Sequence, residues 1–228
     1  MSKINNSYDR KVDAAYIITL KDNVTSERLA NRCKDSCDQV NVPSKFWHGF
    51  DGTSGQIQTP DHLQHAIHMN WFKVVDSELS ISEVACALSH ISLWCHCIDI
   101  DKPIIILEHD ALMVKQIDEH PLFNSILYLG CEEQVKQQYG VSMTPIHGTI
   151  ARNYHFIWRA HAYMIDPQVA KNMVSFVLKQ GIFESLDIMI RADIFAIMQL
   201  GIYAYDSPER VNTTITNRKQ TQSGFKKI

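Results

Sequence analysis

Ten residues, Lys102-Pro-Ile-Ile-Ile-Leu-Glu-His-Asp-Ala111, constrain this chain more than any other stretch. Four consecutive large aliphatics, Ile104 to Leu107, run into two carboxylates one residue apart, Glu108 and Asp110. Such a run, bounded by Pro103, reads as a strand with both faces buried, the kind found in a sheet held between helices. In open α/β sheets ligands sit beyond the carboxyl ends of the strands, so acids placed there meet a ligand and not the core. Paired oxygen donors at that point suit a hard divalent cation, Mn2+ or Mg2+, which also holds substrate phosphates. Taken alone, an E-x-D at a strand end is more often a pair of solvated acids, so the other segments must decide.

With 228 residues the chain is long enough for one well-cored α/β domain and short for two. A net charge of −3 gives no footing for a nucleic-acid binder or a polybasic membrane module. No unbroken apolar run approaches the ~18–20 residues that span a bilayer, so no transmembrane segment is expected and membrane contact would be peripheral. Met1 to Tyr8 is polar and lacks the apolar core of a secretory signal. The six cysteines then read as reduced thiols, and the expected location is the cytoplasm. Cys33 with Cys37, the compact Cys95-His96-Cys97, and His62, His65 and His68 all lack the paired C-x2-C of a structural zinc site, which is not expected.

Along the chain, 1–13 is a polar lead-in, 14–208 one folded domain, and 209–228 a basic tail carrying Arg210, Arg218, Lys219, Lys226 and Lys227 against one acid. That tail is either solvated or folded over a diphosphate. Strands are expected at 14–20, 44–48, 104–107, 126–129, 162–165 and 202–205. A helix capped by Thr25 or Ser26 runs to Asp38 with Leu29, Cys33 and Cys37 inward. Arg28 in its first turn opposes the helix dipole, and is solvated or faces an anion. Asp51-Gly52 marks a tight turn beyond the second strand, at the same sheet edge as Glu108. Thr59-Pro60 opens a helix to Trp71. Ser80 and Glu83 form a capping box ahead of a helix whose inner stripe is Val84, Leu88, Ile91, Cys95 and Ile98. His90 lies beside that stripe, where a histidine is usually a satisfied core residue. A short helix is expected at 121–127, and 134–154 has little periodicity and suits a loop over the site. Asp166-Pro167 starts a helix with Val169, Met173, Val174 and Val177 inward. A last long helix is expected over 184–200, with Asp187 in a first turn that favours an acid by dipole alone. There is no G-x-x-x-x-G-K-[ST], no G-x-G-x-x-G after the first strand and no G-x-S-x-G, so kinase, Rossmann dehydrogenase and serine hydrolase readings lack their central hardware.

The order of segments resembles glycosyltransferase family 25. Tyr16-Ile-Ile-Thr-Leu20 with Ser26-Glu-Arg28 is similar to that family's opening, and Trp47-His-Gly-Phe-Asp-Gly52 to its second block. Leu79-Ser-Ile-Ser-Glu-Val-Ala-Cys-Ala-Leu-Ser-His90 resembles its most distinctive block, and Leu107-Glu-His-Asp110 stands where the family has Leu-Glu-Asp-Asp. Ala162-Tyr-Met-Ile165 and Ser185-Leu-Asp187 resemble later blocks, so the likeness spans roughly 14–190. The resemblance implies a single GT-A type α/β domain with a central, mostly parallel sheet flanked by helices. It implies inverting transfer of a hexose, often galactose, from a UDP-sugar to a hydroxyl of a glycan, lipopolysaccharide or protein. On this reading Asp110 and Glu108 hold Mn2+ or Mg2+, and Thr19, Leu20, Arg28, Asp51, Gly52 and Glu108 hold the nucleotide-sugar. Asp187 is the candidate base, and His90 stands in the catalytic set as a partner of the metal-site acids. His109 replaces the family's middle acid and removes a negative charge beside the metal, and Ser82 stands where glycine is usual. A nucleotide-sugar-binding protein without catalysis, and a sugar nucleotidyltransferase, are the alternatives.

Overall fold

The computed structural model describes residues 11–63, 72–76, 78–118, 125–131, 144–145, 157, 159–192 and 194–206. In chain order the elements are β1 (Ala15–Thr19), α1 (Val24–Gln39), β2 (Ser44–His48), a 3-10 turn (Asp61–Leu63), α2 (Ile81–Ile100), β3 (Ile104–Glu108) and β4 (Ala111–Met113). There follow β5 (Ile126–Cys131), β6 (Thr144–Pro145), β7 (Ala162–Ile165), α3 (Pro167–Gln180), α4 (Leu186–Met189) and β8 (Ile197–Asp206).

The aliphatic run does form a strand buried on both faces: Ile104 to Leu107 are all at or below 3% exposure. The pleat sends alternate residues to opposite sides. Ile104 and Ile106 pack in the cluster that holds α2 and α3, while Ile105 and Leu107 pack with Ala30, Cys33 and Cys37 of α1. β1 splits the same way, Tyr16 and Ile18 against Ala15 and Ile17. A sheet between one helix on one face and two on the other follows from that alternation.

Across the sheet the order is β2-β1-β3-β7-β5-β8-β4, with β6 also on β8. β1 pairs in parallel with both β2 and β3, and β5 in parallel with β8; the β3–β7, β5–β7, β4–β8 and β6–β8 pairings are antiparallel. The sheet is therefore mixed, and the parallel arrangement expected for it holds where the candidate site lies, in β2-β1-β3. Parallel neighbours end together, so β1 and β3 finish at one edge.

Helix α2 starts as expected: Ser80 Oγ accepts from the Glu83 N–H, and the Glu83 carboxylate accepts from the Ser80 N–H. By length and composition this helix could cross a bilayer, but 61% of the apolar stretch is buried inside the protein. It is a core helix, its apolar character answered by the sheet and α3.

Several expectations change. The cap of α1 is Asn23, whose side chain accepts from the Ser26 N–H at 3.0 Å; neither Thr25 nor Ser26 takes that role. The long helix over 184–200 is instead the single turn α4, which ends at Met189, and then β8. Leu186, Met189 and Ile190 are buried at helical spacing over one turn only. Beyond it, pairing with β5 and β4 overrides the helical pattern in a segment that also carries Ile202, Tyr203 and Tyr205, residues at home in a strand. The strand expected at 202–205 is the end of this longer one. Of the helix expected over 59–71, a 3-10 turn at Asp61–Leu63 is described, and 64–71 lies outside the described residues. The segment expected as helix at 121–127 gives its last residues to β5, and 119–124 lies outside the described residues. So do the lead-in up to residue 10, the 134–154 stretch apart from β6, and the tail.

Candidate active site

The β1–β3 edge opens into a cleft of about 590 Å3, partly continuous with solvent. Ile18 and Leu20 form its floor at the end of β1, and Glu108, His109 and Asp110 its back wall at the end of β3. The loop after β2 supplies Phe50, Gly52 and Thr53, and the first turns of α2 supply Ser82, Ala85, Cys86, Ser89 and His90.

Small residues let the β2 loop reach α2. A Cβ on Gly52 would stand 2.7 Å from the Ile81 carbonyl oxygen, and one on Gly49 2.7 Å from Ser89 Oγ. Ser89 Oγ accepts from the Phe50 N–H at 2.8 Å and donates to the Ala85 carbonyl at 2.8 Å, pinning the loop to the helix. Asp51 Oδ1 accepts from both the N–H and the hydroxyl of Thr53 at 2.7 Å, so this acid shapes the turn while Gly52 and Thr53 face the cleft.

The acidic strand end divides its side chains between the two helices. Glu108 turns toward α2: its Oε1 lies 3.3 Å from His90 Nε2 and 3.9 Å from Cys86 Sγ. Its side chain keeps 30% of its exposure, whereas that of His90 keeps 1%. Burial pushes the Glu108 carboxyl up, and His90, with His161 and His109 behind it, more than offsets that, leaving it below the usual range. His90 Nδ1 is 2.8 Å from the Tyr163 hydroxyl, which also accepts from Trp94 Nε1 at 2.9 Å. Burial, reinforced by the charges of Glu108, Asp187 and Asp110, pushes the Cys86 thiol well up, so it is a neutral thiol.

His109 turns the other way, its Nδ1 3.0 Å from Ser26 Oγ at the start of α1. The same Oγ accepts from the Leu20 N–H at 2.8 Å and lies 3.5 Å from Thr19 Oγ1. Burial lowers the His109 pKa, with Glu108 pulling weakly against it, so the ring is neutral near pH 7. His109 thus ties β3 to α1 and brings no charge. Asp110 follows in the turn to β4 and lines the cleft.

Of the residues expected to act, Leu20, Gly52, His90, Glu108 and Asp110 meet in the cleft. Thr19 is buried just beneath it, in the Ser26 network. Asp187 sits in the turn α4, where Oδ1 accepts from Ser185 Oγ at 2.8 Å; it does not line the cleft, though its charge reaches Cys86. Arg28 is exposed on α1 and does not line the cleft. A hard divalent cation fits the donor chemistry of the back wall, because Glu108 and Asp110 offer carboxylate oxygens there, and His109 in the same wall has its Nδ1 engaged with Ser26. Sequence reasoning missed Ser26, Cys86 and Tyr163 as parts of this site. Cys86 could have been found from its position four residues before His90 on a helix; the partners of Ser26 and Tyr163, 83 and 73 positions away, carried no local signal.

Comparison with known proteins bears on the same residues. A family model described as glycosyltransferase family 25 (LPS biosynthesis protein) matches residues 12–190. Among curated proteins none matches. Among solved structures the chain is similar to the galactosyltransferase LgtC in complex with donor and acceptor sugar analogs, at 10% identity and a TM-score of 0.40. That likeness covers 81% of this chain and 72% of that one.

Proposed function

Because this chain belongs to glycosyltransferase family 25, and so is a glycosyltransferase that joins a sugar donor to a glycan-type acceptor, we propose that it is a metal-dependent, inverting hexosyltransferase of GT-A type using a UDP-sugar. Galactose is the hexose of first choice. The observation that carries this reading is the meeting of Glu108 and Asp110, at the carboxyl end of β3, with the amino-terminal turns of α2 across one cleft. When bound, the divalent cation is held by Asp110 and Glu108 and supplies Lewis-acid neutralisation of charge on the departing diphosphate.

The remaining work falls to the chain itself. The amino terminus of α2, with Ser82 lining the cleft, brings its positive dipole end to the phosphates. Leu20, Phe50 and Gly52 give the nucleoside an apolar, close-fitting wall. His90, fixed from behind by Tyr163, keeps Glu108 ionised and oriented. Ser26 and His109 hold the end of β3 against α1, so that Asp110 keeps its place. Inversion needs a base on the face opposite the leaving group to take the acceptor's hydroxyl proton. Asp187, outside the lining but with its charge reaching Cys86, is our candidate for that base, with Ser185 setting its carboxylate. The reaction takes place in the cytoplasm, on a lipopolysaccharide-type or protein acceptor.

The test is turnover. Purified protein is incubated with UDP-galactose, UDP-glucose or UDP-N-acetylglucosamine, a panel of glycan and lipid-linked glycan acceptors, and either Mn2+ or EDTA. UDP release is followed together with the mass gained by the acceptor. Transfer of one hexose that stops in EDTA and in Asp110→Asn supports the reading. Transfer unaffected by EDTA removes the metal from it, and pyrophosphate release from a nucleoside triphosphate and a sugar phosphate replaces it with nucleotidyl transfer.

A further inference from the structure

Cys86 and His90 lie four residues apart on α2, so both point from one face of the helix toward the end of β3. There they meet Glu108, and the donor atoms Sγ, Nε2 and a carboxylate oxygen all lie within 4.8 Å of one another. A tetrahedral ion with Zn–N and Zn–O bonds of ~2.0–2.1 Å and Zn–S of ~2.3 Å sets its ligand atoms about 3.3–3.6 Å apart. The observed His90–Glu108 separation is 3.3 Å, the Cys86–Glu108 separation is 3.9 Å, and Cys86 Sγ lies within 4.8 Å of His90 Nε2, so the thiol must rotate inward to meet the ion.

His90 is the decisive member. Its Nε2 is buried, and Glu108 Oε1 stands 3.3 Å from it without a well-formed hydrogen bond. Its other nitrogen contacts the Tyr163 hydroxyl at 2.8 Å, and the two rings stack at 5.7 Å. Metal-bound histidines are oriented in this way, by a hydrogen bond from the far nitrogen to a fixed partner. When a metal binds, the ring proton sits on Nδ1 facing the Tyr163 hydroxyl, and Nε2 gives its lone pair to the ion in place of its contact with Glu108. Thiol sulfur and imidazole beside one carboxylate are the donors of zinc, not of magnesium or manganese. Only three protein ligands converge among the described residues, so the fourth position faces the cleft.

We propose that Cys86, His90 and Glu108 form a Zn2+ site within the cleft, distinct in donor chemistry from the carboxylate pair and competing with it for Glu108. On binding, the Cys86 thiol gives its proton to solvent and the sulfur joins the metal as thiolate. Zinc held there takes Glu108 away from the donor side, so Zn2+ inhibits the reaction the cleft performs. The site itself depends only on the placement of the three side chains, and not on the transfer reaction.

The experiment titrates the full chain with Co2+, whose thiolate charge-transfer absorption and intense tetrahedral d–d bands report a sulfur ligand directly. One equivalent should give both bands, and Zn2+ should abolish them. Cys86→Ser should lose the charge-transfer band. Tyr163→Phe should keep it with roughly 10–100-fold weaker affinity, the usual effect of removing the group that orients a metal-bound histidine. Asp110→Asn should also keep it, which separates this site from the carboxylate pair even in a protein that transfers no sugar. Wild-type protein offers a check that needs no variant: Zn2+ should slow alkylation of Cys86, read by peptide mass. No charge-transfer band in the wild type, an undiminished band in Cys86→Ser, or alkylation of Cys86 indifferent to Zn2+ would each overturn the proposal.

Discussion

His161 offers a quantitative test of how the end of β3 is supported. It precedes β7, is 1% exposed, and its carbonyl accepts from the Glu108 N–H at 2.9 Å. Burial drives its imidazole from 6.5 down to about 4, with the charge of Glu108 pulling the other way. The sign follows from proton linkage. Between those two values the unfolded chain binds a proton at this position and the folded chain does not, so stability rises with pH and is lost as pH falls from 6.5 toward 4. The values lie about 2.5 apart, and at about 1.4 kcal/mol for each the loss attributable to His161 is about 3 kcal/mol. That is a large share of a typical domain stability of ~5–15 kcal/mol. His62, His96 and His109 are also lowered by burial and steepen the same fall, so wild type alone cannot isolate the term. His161→Phe can. It keeps an aromatic ring edge-on to Tyr128, which now sits 6.1 Å away, and removes the titration. Urea unfolding of both proteins at half-unit steps from pH 4 to 7 should show wild type losing about 3 kcal/mol more than the variant. Parallel stability curves would refute the claim that His161 is buried in its neutral form.

Two further expectations concern the cleft wall. Ser80→Ala removes the capping box of α2 and should lower stability by about 1 kcal/mol in urea unfolding, with turnover per folded molecule little changed; no loss would show that the cap is not formed in solution. Gly52→Ala puts a methyl 2.7 Å from the Ile81 carbonyl, where neither backbone can yield cheaply, so the β2 loop must move off α2. UDP-sugar affinity should weaken about tenfold or more with only a modest fall in Tm, and unchanged affinity would remove this loop from the donor site.

What could be read in advance was what local pattern controls. The 104–107 run, the capping box and the Asp166-Pro167 start all depend on neighbours within a turn or a pleat, and each appears as expected. So did the gathering of Leu20, Gly52, His90, Glu108 and Asp110, because strands that run parallel bring their carboxyl ends to one edge. The 184–200 segment was misjudged because its apolar spacing suits a helix locally, while the hydrogen bonds that decide it come from β5, some 70 residues earlier. The missing acid at His109 is legible in the sequence; its tie to Ser26, 83 positions away, is not, because no spacing rule links them. The same holds for Tyr163 behind His90.

The central claim is that Glu108 and Asp110 hold a UDP-sugar through a divalent cation in this cleft. Calorimetric titration of UDP-galactose into wild type and Asp110→Asn, each with Mn2+ and with EDTA, tests it most directly. Binding should appear only for the wild type in Mn2+. Equal binding in EDTA, or by Asp110→Asn in Mn2+, would contradict the account.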